Sequence, residues 1–434
     1  MTSLNDTHDP KLTSWVTSAN EIGSDFAIQN LPVGVFRNAG SSGEYRGGVA
    51  IGSQILDVGK AFDAGYLKGD AAAACKESTL NKLMGLGREH WVSLRDQLSK
   101  LLRSGGNEKE GRTCLVPMAE AEMTVPARIG DFTDFYSSIN HATNVGRMFR
   151  PDNPLLPNYK YVPIAYHGRS SSIRVSGTPT KRPAGQLKGP DAETPNFDAC
   201  RRLDYETELG VFVGPGNMLG SAIPLEEAED HVFGLCILND WSARDIQTWE
   251  YQPLGPFMAK NFSSTISPWI VTLEALAPYR SAIFKRPKGD PAPLPYLHTK
   301  SHEGSGGLDI NIEVAVLTDK MRKNGDLPHV IGAPNFKGMY WSVFQMLAHH
   351  SSNGCDLNPG DLYGSGTVSG TTPDTYGSIL EACKGGKETI LFPGDEERTF
   401  LEDGDEVVMR AWCDGDGKAR IGFGECRSVI VPAA

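Results

Sequence analysis

HVFGLCILNDWSARDIQTWEYQPLGPFMAKNF, residues 231–262, joins a run of apolar side chains to a dense group of polar ones. Val232, Phe233, Leu235, Ile237 and Leu238 read as a buried strand, and the run stops at Asn239-Asp240. Ser242, followed three residues later by Asp245, has the spacing of a capping box that opens a helix. Arg244, Gln247 and Tyr251 recur at helical spacing and share one face, and Pro253 ends the helix. Lys260 follows in the loop. A strand end thus carries a carboxylate, and the helix after it presents a cation, an amide and a phenol. Trp241, Ile246, Trp249, Leu254, Phe257 and Met258 keep this segment at least half buried, which favours a functional element over a solvated surface helix.

A second polar group sits upstream in RRLDYETELGVFVG, residues 201–214. Side chains two apart on a strand point the same way, about 7 Å along it. Glu206 and Glu208 therefore share a face with Gly210 and Phe212. Two like charges entering an apolar face are costly unless a cation neutralises them. Taken alone, the pair suits an exposed edge as well as a metal site. Asp134 and Asp240 bring the candidate carboxylates to four, and ligands that are all oxygen suit a hard cation, Mg²⁺ or Ca²⁺, better than zinc. Lys260 or Arg244 nearby would balance the excess negative charge.

The chain has 434 residues, enough for two domains, and the boundary is placed near Val125. Residues 1–125 read as a small β-rich structural module and 126–434 as the functional domain. Apolar content of 39% and charge of 22% belong to a globular protein with a substantial core. A net charge of −11 argues against nucleic acid or an anionic membrane as partner. With 48 glycines and 28 prolines, turns are frequent and the fold is expected to be mainly β. The eight cysteines form no CxxC pair, so neither a zinc ribbon nor a redox dithiol is expected. No signal segment or bilayer-length apolar run occurs, and a soluble intracellular protein with reduced thiols is the expectation.

Along the chain, residues 1–22 read as a polar, partly ordered arm, and short strands follow from Phe26. Residues 61–102 read as helical and 280–307 as a surface excursion dense in Pro, Gly and Ser. Residues 335–350 read as a helix whose apolar residues are core, and His349 and His350 as last-turn histidines rather than ligands. GPGNMLG and GSGTVSG lack dinucleotide-binding spacing, and no phosphate loop or serine nucleophile turn is present. DGDGKARIGFGE fails as a calcium loop at Lys418 and Ala419 and reads as a hairpin. Nothing local marks His141 as a base, and on the residues alone it reads as structural.

DFTDFYSSINHATNVGRMFR, PIAYHGRSSS, LDYETELGVFVGPGN, NDWSARDIQTWEYQPLGPFMAK, PNFKGMYW and PGDLYGSGTVSG together resemble the fumarylacetoacetate hydrolase family over nearly the whole chain. The resemblance implies a small SH3-like N-terminal barrel and a large mixed β-roll C-terminal domain. It also implies a cytoplasmic homodimer that takes a small-molecule substrate. That enzyme would hydrolyse a carbon–carbon bond of fumarylacetoacetate, giving fumarate and acetoacetate in tyrosine and phenylalanine breakdown. By motif, Asp134, Glu206, Glu208 and Asp240 match the family's metal ligands, with Lys260 and Ser264 beside the metal. His141 matches the catalytic base and Glu381 the acid paired with it. Arg244, Gln247 and Lys260 match the groups around the developing anion. Tyr136, Arg150, Tyr166, Gln247, Tyr251 and Thr367 match substrate contacts. Where the family has Gly-Thr after the lysine, this chain has Ser263-Ser264, which keeps a hydroxyl at 264.

That chemistry explains the residue types. A β-diketone split by water needs a base, here His141 with Glu381 fixing its tautomer. It needs a Lewis acid for the carbonyl. It also needs donors for an enolate too basic to leave unaided. Two other readings remain, a hydratase or decarboxylase of 2-oxo acids sharing the carboxylates, and a cation-binding protein without catalysis. The His141 run and the N-terminal region favour the hydrolase, and catalysis accounts for Arg244, Gln247 and Lys260.

Overall fold

The computed structural model describes residues 4–434. At its centre lies the Val232–Asp240 strand, buried along its whole length. It belongs to a mixed sheet whose strands follow in space as Ala165–His167, Phe132–Phe135, Leu362–Gly364, Thr207–Val213, Val232–Asp240, Ser264–Ile266 and Ile173–Val175. Val271–Thr272 also pairs with the central strand. Leu362–Gly364 runs parallel to Phe132–Phe135, Ser264–Ile266 runs parallel to Ile173–Val175, and the other pairings are antiparallel.

Alternation makes one face of this sheet change character along its strands. On that face Phe132 is followed by Asp134, Leu362 by Gly364, and Leu238 by Asp240. Phe212, Gly210 and Glu208 line up likewise on Thr207–Val213, and Ile266 and Ser264 on the neighbouring strand. Register fixes the match, because Gly364 pairs with Asp134 and with Gly210, and Asp240 pairs with Ser264. The apolar halves, Phe132, Phe212, Leu238, Ile266 and Leu362, join one hydrophobic cluster with the N-terminal region. The acidic and small residues gather at the other end. A strand covered on both faces has no reason to be polar, so its terminal carboxylates stand out.

The N-terminal region is an antiparallel sheet ordered Leu115–Pro117, Gln54–Asp57, Arg46–Ile51, Val33–Asn38, Ala121–Thr124. The helical region expected over 61–102 is four short helices, Val58–Asp63, Asp70–Ala74, Asn81–Gly85 and Arg88–Leu102. Gly65, Gly69 and Gly87, at φ of 77°, 89° and 88°, break them apart in a conformation that favours glycine. Trp91 packs edge-on against Phe233 with ring centroids 5.2 Å apart, and Val33 bridges Ile270, so this region shares a core with the central sheet. The rest of the core lies on the opposite face, beneath a second sheet ordered His329–Gly332, Asn311–Leu317, Glu406–Cys413, Ile421–Val431, Thr180–Lys181. The whole is a strand-rich α+β fold with a curled, mixed sheet, and the rejected calcium loop is the hairpin between Glu406–Cys413 and Ile421–Val431.

One expectation needs correcting. Residues 1–3 lie outside the described residues, but the remainder of the expected arm is anchored by buried residues at 7–8, 14–16 and 19. His8 is buried with Nε2 2.8 Å from the Glu274 carbonyl, and Trp15 Nε1 donates to Leu101 O at 2.8 Å. Few apolar residues are needed when hydrogen bonds anchor a segment, which is why composition alone reads it as loose. The 280–307 segment is the surface excursion expected, mostly exposed or half-buried, and it is anchored at several points. Arg286 lies 4.3 Å over the Tyr340 ring, Lys160 pairs with Asp290, and Leu297 is wholly buried.

Candidate active site

At the polar end of the central sheet is a cavity of about 710 Å³. Asp134, Glu206, Glu208 and Lys260 form its floor, all buried. Oxygens of Asp134, Glu206, Glu208 and Asp240 lie within 4.8 Å of one another. Asp134 Oδ1 and Glu208 Oε1 are buried without any hydrogen-bond partner. Gly364 leaves them room, since a Cβ there would lie 2.5 Å from Asp134 Oδ1 and 2.8 Å from Glu208 Oε2. Burial, together with the facing carboxylates, holds the carboxyls of Asp134 and Glu208 well above their ordinary range. Orphaned acidic oxygens in a glycine-walled cradle fit a hard divalent cation held by these four residues.

Lys260 donates to Glu206 Oε2 and, at 2.7 Å, to Asp240 Oδ2. Burial opposes its charge, but Asp240 and Glu206 raise its pKa above the usual value, so it stays an ammonium. An ammonium has no lone pair to offer a metal. Lys260, matched by motif to the metal site, is therefore a counter-charge there and not a ligand. Burial likewise opposes the charge of Glu206, but Lys260, Arg244 and His141 keep its carboxyl below the ordinary range. Ser264 Oγ donates to Asp240 Oδ1 at 3.2 Å and Tyr166 OH to Asp240 Oδ2 at 2.6 Å, so both orient that carboxylate.

His141 opens the Ile139–Phe149 helix, capped by Ser138, whose hydroxyl accepts from His141 N at 3.3 Å. Its Nδ1 lies 2.7 Å from Glu381 Oε2. Glu381 also accepts from Ser369 Oγ at 2.8 Å, Ser378 Oγ at 2.9 Å and Asn144 Nδ2 at 2.9 Å. Burial pushes the Glu381 carboxyl up, but His141 and these donors bring it below its ordinary value. A carboxylate so fixed takes the Nδ1 proton and leaves Nε2 with a free lone pair. Nε2 lies 3.8 Å from Glu206 Oε1, at the edge of the acidic cluster. Tyr136 packs edge-on against the imidazole, with centroids 5.4 Å apart.

The helix of the opening stretch is Arg244–Glu250, and it is not opened by a capping box. Ser242 and Ala243 pair instead with Asp204 and Leu203, and Asp245 accepts from Arg201 N and Cys200 Sγ. Arg244 donates from Nε to Asp204 Oδ2 at 2.8 Å and from Nη1 to Gln247 Oε1 at 3.1 Å, and Nη1 lies 2.9 Å from Glu206 Oε1. Its Nε and Nη1 are thus committed to protein partners, whereas Nη2, 2.7 Å from Asp204 Oδ2, makes no aligned hydrogen bond, and the residue lines the cavity. Because Gln247 Oε1 is taken, its amide NH₂ is left for the cavity it lines. Tyr136, Arg150, Tyr166, Tyr251 and Thr367 line the same cavity, whereas Asp240, Ser264 and Glu381 stand one layer behind.

Sequence reading missed Asp204, which is wholly buried. Besides Arg244 it accepts from Ile379 N at 2.8 Å and Leu380 N at 3.1 Å, in the turn that carries Glu381. The signal was present, since Asp204, Glu206 and Glu208 alternate in LDYETE. Ser378 was also legible, being three residues before Glu381 in SILE. Arg202, Lys384 and Lys387, which also line the cavity, carry no local signal.

A family model described as fumarylacetoacetate (FAA) hydrolase C-terminal matches residues 132–431, and one described as fumarylacetoacetase N-terminal matches residues 29–126. The chain belongs to the fumarylacetoacetase family. The fumarylacetoacetase of Caenorhabditis elegans is 50% identical over 422 residues, covering 94% of this chain and 97% of that protein. The fumarylacetoacetase of Homo sapiens is 47% identical over 418 residues, with the same coverage of 94% and 97%. The fold is shared with fumarylacetoacetate hydrolase from the psychrophile Exiguobacterium antarcticum, with a TM-score of 0.51 at 18% identity over 93% of this chain and 100% of that one. Maleylpyruvate hydrolase from Sphingobium, solved with manganese(II) and pyruvate, aligns with a TM-score of 0.50 at 16% identity over 93% of this chain and 100% of that one. Matches to fumarylacetoacetases cover nearly the full length of this chain, including the N-terminal sheet.

Proposed function

We propose that this chain hydrolyses fumarylacetoacetate to fumarate and acetoacetate, in tyrosine and phenylalanine breakdown. The observation that carries the reading is the Glu381-held imidazole of His141 beside four clustered carboxylates in one cavity. Full-length identity of 47–50% to proteins named fumarylacetoacetase supports it. A divalent cation, Mg²⁺ or Ca²⁺, held by Asp134, Glu206, Glu208 and Asp240 would supply Lewis acidity to the carbonyl. Manganese in the Sphingobium relative supports a dication of this kind.

His141 Nε2 takes a proton from water, and the hydroxide oxygen bonds to the carbonyl carbon next to the unsaturated arm. Nε2 is the free nitrogen because Nδ1 is committed to Glu381. As the resulting tetrahedral carbon collapses, its bond to the methylene breaks and the electron pair leaves on acetoacetate as an enolate. Two of the three Lys260 protons are held by Glu206 and Asp240, and the third is left for that charge. The Gln247 amide adds a second donor, each such donor being worth about 3 kcal/mol in an enclosed site. Arg244, which lines the cavity, fixes Glu206 and Gln247. The imidazolium returns its proton to the enolate carbon, and the new carboxyl loses its proton to solvent.

The same reading includes a homodimer in the cytoplasm, and the eight free cysteines agree with a reducing compartment. Among the described residues no helix is long and apolar enough to cross a membrane. Loss of the diketone absorbance of fumarylacetoacetate, with fumarate and acetoacetate found in equal amounts, tests the assignment. No loss at saturating Mg²⁺ or Ca²⁺ would refute it.

A further inference from the structure

Beyond the acidic floor, the cavity has an outer end of opposite sign. We propose that Arg202, Lys384 and Lys387 form a carboxylate-binding subsite there, for the carboxylate on the unsaturated arm of a dianionic diketo acid. The proposal rests on the reaction given above and adds a recognition site for the substrate's second charge.

All three cations line the same cavity as Asp134, Glu206 and Glu208. The acids are buried, whereas Lys384 and Lys387 are exposed, so the cations occupy the solvent end. The chain as a whole is acidic, with 53 Asp and Glu against 42 Lys and Arg. Yet the one carboxylate paired with any of these three cations, among the described residues, is Glu388, 2.6 Å from Lys384 Nζ. A local excess of one sign at a cleft mouth, against the sign of the molecule, attracts ligands of opposite charge.

The Arg202 side chain and the backbone of the lysine turn are also held in place. The Arg202 guanidinium stacks 4.7 Å over the Phe400 ring, and Nη2 donates to Gly385 O at 2.7 Å. That contact pins the Lys-Gly-Gly-Lys turn. Lys384, Gly385 and Gly386 are successively left-handed, at φ of 49°, 74° and 90°, and Cys383 O accepts from Gly386, Lys387 and Glu388 N at 3.0, 2.9 and 3.0 Å. The turn follows directly on the Ile379–Ala382 helix that carries Glu381, so the carboxylate that orients His141 and the two lysines are set by one short segment. Val145, Met148 and Leu380 also line the cavity and suit an uncharged alkene spacer.

The test uses the full-length, cation-loaded enzyme with two substrates, fumarylacetoacetate and the analogue carrying a methyl group in place of the carboxyl on its unsaturated arm. The quantity read is the ratio of their kcat/KM values. Lys387→Glu should lower that ratio about tenfold and Lys384→Gln about threefold, each with a weaker dependence on salt than the parent. Lys109→Gln, a remote exposed lysine, controls for net charge, and melting temperature controls for folding. A ratio within twofold of the parent in Lys387→Glu, with both substrates still turned over, would overturn the subsite alone. Parent enzyme that turns over neither substrate would overturn the reaction and the subsite together.

Discussion

Replacing Glu381 with glutamine changes one oxygen to an amide nitrogen and keeps the shape. In the parent, Oε2 accepts from His141 Nδ1 at 2.7 Å and from the hydroxyls of Ser369 and Ser378, while Oε1 accepts from Asn144. In Glu381→Gln the oxygen stays with Asn144, because an NH₂ facing Asn144 Nδ2 would set donor against donor. The new NH₂ then faces Nδ1, which must accept, and the imidazole proton moves to Nε2. The base is then blocked by its own hydrogen. The imidazolium also loses its counter-charge. By analogy with the loss on neutralising the acid of a buried histidine–carboxylate pair, kcat should fall about 10³- to 10⁴-fold, or about 4–5 kcal/mol of barrier. Ser369 and Ser378 can reorient their hydroxyls, so folding should lose only about 1–3 kcal/mol. Stopped-flow loss of diketone absorbance gives kcat, and thermal unfolding gives stability. A kcat within tenfold of the parent, in a folded variant, would refute the tautomer reasoning and His141 as base.

Asp204→Asn should cost about 3–5 kcal/mol of stability, because it leaves Arg244 buried with half its counter-charge, and should lower kcat more than it raises KM. Urea unfolding and steady-state rates check this, and an unchanged kcat would make Asp204 structural only. Removing divalent metal should stop turnover, and Mg²⁺ or Ca²⁺ should raise the melting temperature by relieving repulsion among the four carboxylates. No shift at saturating cation would speak against the site. Burial, followed by Arg280, lowers the pKa of His302 to about 4, so between pH 6.5 and 4 the unfolded chain binds more protons there and stability drops as the pH is lowered. That slope amounts to about 3 kcal/mol across the window, and His302→Gln should flatten it in urea titrations at pH 7 and 4.5. Phe233→Ala should cost about 3–5 kcal/mol and lower the melting of both regions in one calorimetric transition, since Phe233 packs on Trp91.

Alternation alone put Glu206, Glu208, Gly210 and Phe212 on one face, and the end of an apolar run marked Asp240. Those features are local, and the folded sheet keeps them. His141 and Glu381 lie 240 residues apart, and nothing near either shows that they meet, so family resemblance supplied what periodicity could not. The helix opening at Arg244 was misread because the Ser242 hydroxyl donates to Asp240 O and its main chain pairs with Asp204, while Asp245 accepts from Arg201 N, so neither makes the local cap. Asp204 escaped notice because its importance depends on Arg244 and the 379–380 amides arriving from elsewhere. The Lys384–Lys387 turn escaped for the same reason.

The cradle for the cation is assembled from strands at residues 132–135, 207–213, 232–240 and 362–364, with Gly364 as its back wall. During synthesis the first three can emerge from the ribosome long before the last. Truncated chains ending short of Gly364 would carry every acidic ligand and still lack the wall that holds two of them together. Affinity for the dication should therefore arise late and abruptly as the nascent chain lengthens, so that ion capture reports completion of the protein rather than its beginning.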